Sequence, residues 1–173
     1  VPKPYNFHEG VLLMELVTDA DGNPAPRLND VEFTAEDACT HHRALMTQVV
    51  RMLCAGVVHG DLSEFNVLLG SEGPVIIDLP QAVDAAGNNH ARRMLERDVG
   101  NLTAYFGRFA PELLTTEYGK EIWALYEHGA LHQEVKLTGC FEHSTKPIDL
   151  GSVILEIDDA RAEDAARRMR LER

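Results

Sequence analysis

Cysteine is scarce in this chain of 173 residues, and the three present, Cys39, Cys54 and Cys140, share no close spacing. That excludes a disulfide framework and a zinc ribbon, both of which need paired cysteines, and it suits a reduced, cytoplasmic setting. Positive charge is also short. Lys and Arg number 16 against 28 Asp and Glu, a formal net charge of -12. A chain this acidic has no general attraction for nucleic acid or anionic lipid. Arg167, Arg168, Arg170 and Arg173 are interleaved with acids and read as a solvated helix face. No apolar run approaches a membrane span, no signal or transit segment is visible, and no repeat recurs. The chain opens on Val1-Pro2-Lys3-Pro4 rather than Met, and reads as a fragment with an upstream part.

What is there is a 45% hydrophobic content, enough for the core of one domain or one large lobe. Residues 11–17 form a short apolar run after Gly10 and predict a buried strand. Residues 19–26 carry Asp-Gly and two prolines, which is turn chemistry. Thr34 can cap a following helix, on which Ala38, His42, Leu45, Met46, Val49 and Leu53 recur at helical spacing and Gly56 falls at the C-cap. His42 should lie inside the core. Val67-Leu68-Leu69 and Val75-Ile76-Ile77, joined by a Gly/Pro turn, read as a β-hairpin. From about Asn89 a helix presents Met94, Leu95, Val99, Leu102 and Phe106 on one face. A second covers residues 117–127, with Ile122, Trp123 and Tyr126 inward as core. Residues 128–150 show no clear pattern. A last helix is expected from about Asp158, its acids first and its arginines last, as the helix dipole favours.

The chemistry is concentrated in residues 57–84, which hold His59-Gly60-Asp61, then Asn66, then Asp78 after the hairpin. Phosphoryl transfer from a nucleotide asks little of a protein. It needs a carboxylate beside the attacking oxygen, and oxygen ligands for the metal that neutralises the phosphates. Asp61 suits the first role, and Asn66 and Asp78 the second, because Mg²⁺ takes hard oxygen donors. A hairpin starts and ends side by side, so it brings Asn66 and Asp78 together.

This pattern is similar to a protein-kinase catalytic loop followed by a metal loop. Ordinary eukaryotic kinases carry Arg after the His and Lys two places after the Asp. Here Gly60 and Ser63 stand there, and Asp78-Leu79-Pro80 replaces Asp-Phe-Gly. HGDLSEFN at residues 59–66, with IIDLPQAVD at residues 76–84, resembles the RIO kinase family. So do Val1 to Pro4, Val11-Leu12-Leu13-Met14-Glu15, Pro24-Ala25-Pro26-Arg27-Leu28, His90-Ala91, Arg97-Asp98-Val99 and Asn101. The likeness covers roughly the first two-thirds of the chain. It implies an α+β, protein-kinase-like fold, mainly a helical C-terminal lobe with a hinge strand and a small catalytic hairpin. It divides the chain into a hinge segment and linker (residues 1–30), a catalytic core (31–110) and a C-terminal helical region (111–173).

The resemblance further implies ATP and Mg²⁺ as cofactors, with Asp61 as catalytic aspartate and Asn66 and Asp78 as metal ligands. Met14 would be the gatekeeper, and the backbones of Glu15 and Val17 would meet the adenine. Asp78 has also been considered a phospho-acceptor in this family, which would give an ATPase cycle. The implied activity is that of a serine/threonine protein kinase or ATPase, and the family's partner is a ribosome-assembly particle. A small-molecule phosphotransferase of the aminoglycoside or choline type is the alternative, although its loop carries His or Asp after the Leu. A nucleotide-switched binding module is the other. The glycine-rich loop, strand lysine and paired helical glutamate are absent from this sequence, so weak or no turnover is expected of it alone. Ala110-Pro111-Glu112 spells a kinase motif by chance, since it follows the helix it should precede. His128 and His132 are four apart but have no third ligand, and read as surface residues.

Overall fold

Residues 1–141 are described by the computed structural model. The helix expected from Asp158 and the C-terminal arginines lie outside them. The chain opens with an antiparallel ribbon, β1 (Pro4–His8) and β2 (Val11–Met14), turned at Glu9 and Gly10, both at positive φ. A single 3-10 turn at Leu28–Asp30 then leads to the long helix α1 (Ala35–Cys54). Thr34 starts that helix as expected. Its hydroxyl oxygen accepts from Asp37 N at 3.1 Å and donates to the Asp37 carboxylate at 2.7 Å. Glu36 and Asp37 in the first turn and Arg51 in the last complement the dipole. Gly56, at φ 77, turns the chain out of α1, where a side chain would be strained.

Two further short strand pairs and two helices complete the unit. β3 (Val57–Val58) pairs antiparallel with β6 (Val83–Asp84), and β4 (Val67–Gly70) forms the expected hairpin with β5 (Gly73–Ile76). α2 (Ala91–Phe106) and α3 (Tyr118–Glu127) follow, separated by a 3-10 turn at Pro111–Thr115. Leu45 and Leu53 of α1, Leu102 and Phe106 of α2, and Ile122 of α3 are fully buried and close one core, with Val67 and Ile76 from the hairpin. Trp123 is buried and Tyr126 packs against the core, their rings 5.2 Å apart. His42 is buried too, and its Nε2 meets the Thr103 hydroxyl at 3.0 Å, which ties α1 to α2. The three cysteines are free. Among the described residues, no helix is long and apolar enough to cross a membrane.

One expectation fails. The run 11–17 is neither buried nor a strand throughout. β2 stops at Met14, and Val11, Leu12, Leu13 and Met14 are all exposed. The reason is topological. Among the described residues β2 pairs only with β1, and this ribbon is one of three separate two-stranded sheets. After Met14 the chain turns aside to the segment in which Thr18 bridges Pro24.

Candidate active site

β3 ends at Val58, and the next regular structure is the 3-10 turn at Glu64–Asn66. The intervening backbone therefore has no ladder to satisfy its polar groups, and side chains do so instead. Gly60 N donates to Asp98 Oδ2 at 2.7 Å, and Asp98 also accepts from the backbone of Leu62. Arg97 Nη2 donates to the Gly60 carbonyl, and Asn101 Nδ2 donates to the Leu62 carbonyl at 3.1 Å. Asp61 N lies 3.3 Å from His59 Nδ1, and the Asp61 carbonyl accepts from Asn66 Nδ2 at 2.7 Å. The Asp61 side chain is exposed, and its carboxylate has no partner among the described residues. The loop is fixed while the acid it carries is left free.

The hairpin delivers the other two groups. Val67 pairs with Ile76, and Ile77 N donates to the Asn66 carbonyl at 3.0 Å, so the ladder runs one step past β4 and β5. Asp78 is the next residue, exposed and at φ 66. A left-handed backbone costs a residue with a Cβ about 1 kcal/mol, and Asp bears it better than most. His59 is buried, and its Nε2 bonds the Ile77 carbonyl at 2.9 Å. A carbonyl only accepts, so Nε2 carries the proton. Nδ1 is then free to accept from Asp61 N. One imidazole thus ties the Asp61 loop to the residue before Asp78. The loops meet again at Gly60, at φ 82, where an added Cβ would lie 2.6 Å from the Gln81 carbonyl oxygen. A larger residue at 60 would push the two loops apart.

Asp98 is 2% exposed. Burial raises its pKa above the usual carboxylate value, and the bonds from Gly60, Leu62 and Arg97 oppose that rise. Its nearest counter-charge is Arg97, 3.3 Å away and about half exposed.

The residues expected at the hinge, Met14, Glu15 and Val17, lie at the end of β2 and just beyond it. Met14 ends β2 with its side chain exposed. Glu15 N donates to the Lys3 carbonyl at 2.8 Å, and the Glu15 carboxylate accepts from Lys3 N at 3.1 Å. The Val17 carbonyl accepts from Ala25 N at 2.9 Å. That leaves the Glu15 carbonyl and the Val17 N–H without intramolecular partners among the described residues, one acceptor and one donor two residues apart. A cavity of about 530 Å³ adjoins these residues. Glu15 to Thr18, Gln48, Arg51 and the hairpin turn line it, and none of Asp61, Asn66 and Asp78 does.

Oxygen donors at this site suit a hard cation. Asn66 commits its amide nitrogen to the Asp61 carbonyl, which leaves its amide oxygen available to a ligand, and the Asp78 carboxylate is exposed at the end of the paired hairpin. Among the described residues, no three His, Cys, Asp or Glu side chains cluster as a metal cage. An ion that brings phosphate ligands with it fits such a sparse donor set. His128 Nδ1 instead bonds the Ala124 carbonyl at the end of α3.

The family model for the RIO domain matches residues 1–118. The chain belongs to the RIO domain family. That membership carries a kinase-like fold, and the mixture of helices and small strands agrees with it. The chain is 40% identical over 108 residues to the RIO-type serine/threonine-protein kinase Rio1 of Haloferax volcanii, covering 62% of this chain and 36% of the relative. It is 36% identical over 115 residues to the protein of the same name from Thermoplasma acidophilum, covering 64% and 56%. Serine/threonine-protein kinase RIO1 of Homo sapiens is 34% identical over 119 residues, covering 66% and 20%. The chain thus spans about half or less of the length of these relatives.

The RIO-domain match includes the whole loop system and its support on α2. The family resemblance includes Arg97, Asp98 and Asn101 without a chemical task for any of them. A signal was available. Asp98 sits among Met94, Leu95, Val99 and Leu102 on the apolar face of its helix, where an acid must have a buried partner.

Proposed function

We propose that this RIO-domain chain carries out Mg²⁺- and ATP-dependent phosphoryl transfer, as a serine/threonine protein kinase or ATPase. Asp61 is the catalytic aspartate and orients the acceptor hydroxyl, taking its proton as the new bond forms. Asn66 and Asp78 are the ligands that would hold Mg²⁺, which supplies charge neutralisation on the phosphates when bound. The Glu15 carbonyl and Val17 N–H face the adenine edge as acceptor and donor, behind Met14 as gatekeeper. Residues 1–30 are the hinge segment and linker, residues 31–110 the catalytic core, and residues 111–173 the C-terminal helical region. The acceptor is a protein or, in an ATPase cycle, Asp78 itself.

The observation that carries this reading is the unpartnered Asp61 carboxylate on a loop held by side chains at four successive peptide groups, bonded to Asn66 and, through His59, to the residue before Asp78. The names of the relatives support it. The test is titration of the 173-residue chain with Mn²⁺ and a non-hydrolysable ATP analogue, followed by amide resonance broadening. Broadening should begin at residues 66, 77 and 78 and vanish in Asp78→Ala. Broadening centred on the acidic turn at residues 19–23, or unchanged in Asp78→Ala, would remove the metal site from the account.

A further inference from the structure

Resting on the reading of Asp61 as the catalytic aspartate, we infer that Arg97 and Asn101 are positioning residues for phosphoryl transfer, acting through the Gly60 and Leu62 carbonyls. Four successive peptide groups run from His59 to Ser63, and each is held by a side chain. The 59–60 group gives its N–H to Asp98. The 60–61 group has its carbonyl on Arg97 and its N–H on His59. The 61–62 group has its carbonyl on Asn66 and its N–H on Asp98. The 62–63 group has its carbonyl on Asn101.

The direction of the Asp61 Cα–Cβ bond is set by the two peptide planes beside it. The 60–61 plane is held by Arg97 and His59, the 61–62 plane by Asn66 and Asp98, and Asn101 anchors the 62–63 plane that follows and so limits how far the 61–62 plane can turn. Asp98 alone cannot do this, since a carboxylate only accepts and both loop carbonyls need donors. Residues 97, 98 and 101 lie within about one turn of α2, so a single rigid element sets the whole loop. Arg97 has the further task of facing the buried Asp98 carboxylate at 3.3 Å.

Neither side chain is core. Arg97 is 52% exposed and Asn101 is exposed, so removing either leaves no cavity. The effect of removing Asn101 should therefore appear in the chemical step rather than in folding, while removing Arg97 also strips the buried Asp98 of its cation, a cost that Arg97→Lys avoids. Misplacing a reacting group by a fraction of an ångström costs rate while leaving nucleotide binding at the hinge and phosphates largely intact.

The test compares kcat and KM for ATP in the full-length gene product with Arg97→Met, Arg97→Lys, Asn101→Ala and, as reference, Asp61→Asn. Arg97→Met and Asn101→Ala should lower kcat about 10- to 100-fold with KM within about threefold, and Asn101→Ala should leave the melting temperature little changed. Arg97→Lys keeps a cationic donor for the Gly60 carbonyl and should recover most of the loss. Wild-type kcat in Arg97→Met and Asn101→Ala, with Asp61→Asn inactive, overturns the positioning role and leaves the site reading standing. Arg97→Lys as slow as Arg97→Met also overturns it. Full turnover in Asp61→Asn overturns the site reading itself.

Discussion

Acid should loosen this chain through one buried imidazole. His42 is 1% exposed, and burial pushes its pKa from 6.5 down to about 4. The unfolded chain takes up a proton near pH 6.5, whereas the folded chain refuses it until about pH 4. The unfolded state binds more protons throughout that window, so stability rises with pH there and is lost as pH falls through it. The full gap is worth about 3 kcal/mol, of which about 2 kcal/mol should disappear between about pH 7 and about pH 5. His42→Gln keeps a neutral donor or acceptor for Thr103 and cannot titrate. Urea unfolding of both chains, followed by fluorescence of the single Trp123, isolates this proton from the carboxylates common to both. Wild type should lose about 2 kcal/mol more than His42→Gln on acidification. Equal losses would mean that His42 is not held neutral by burial, and the packing of α1 on α2 described above would be wrong.

Asp98 carries the opposite sign. Its pKa is raised, so its contribution to stability improves as pH falls through the range above the ordinary value of 3.8. Asp98→Asn should flatten that part of the pH–stability curve, and it should speed hydrogen exchange at Gly60 and Leu62. Gly60→Val should separate the two loops, lowering ATP turnover with α1 and α2 still folded by circular dichroism. Leu102→Ala, at a fully buried site, should cost about 2–5 kcal/mol in urea unfolding. Thr34→Ala should cost about 1 kcal/mol in the same measurement.

Much of this fold was legible because local chemistry and tertiary packing agree. The α1 boundaries follow from Thr34 and Gly56, and its buried face is the expected one with Val50 added. The hairpin and its juxtaposition of Asn66 with the residue before Asp78 follow from two apolar runs and a turn. The exposed β2 was not legible, because an apolar run records a preference for burial and not whether a partner stands beside it. β3 and β6 have two residues each, too few for any periodicity. The segment after α3 is set by long-range polar contacts. The Glu121 carboxylate accepts from Thr138 N at 2.7 Å and from Gly139 N at 2.8 Å, 17 and 18 residues away. No local pattern encodes such a pairing. The support of the Asp61 loop by α2 was half visible. Asp98 on an apolar face signals a buried partner, but its bonds to Gly60 and Leu62 span more than 35 residues, beyond any local pattern.

The most direct measurement is Mg²⁺-dependent ATP turnover by the full-length gene product, with Asp61→Asn and Asp78→Asn measured in parallel. The account predicts turnover in the parent and a loss of about 100-fold or more in each variant, with folding unchanged. Turnover that persists in both variants, or an inactive parent, would contradict the assignment of Asp61 and Asp78 to phosphoryl transfer.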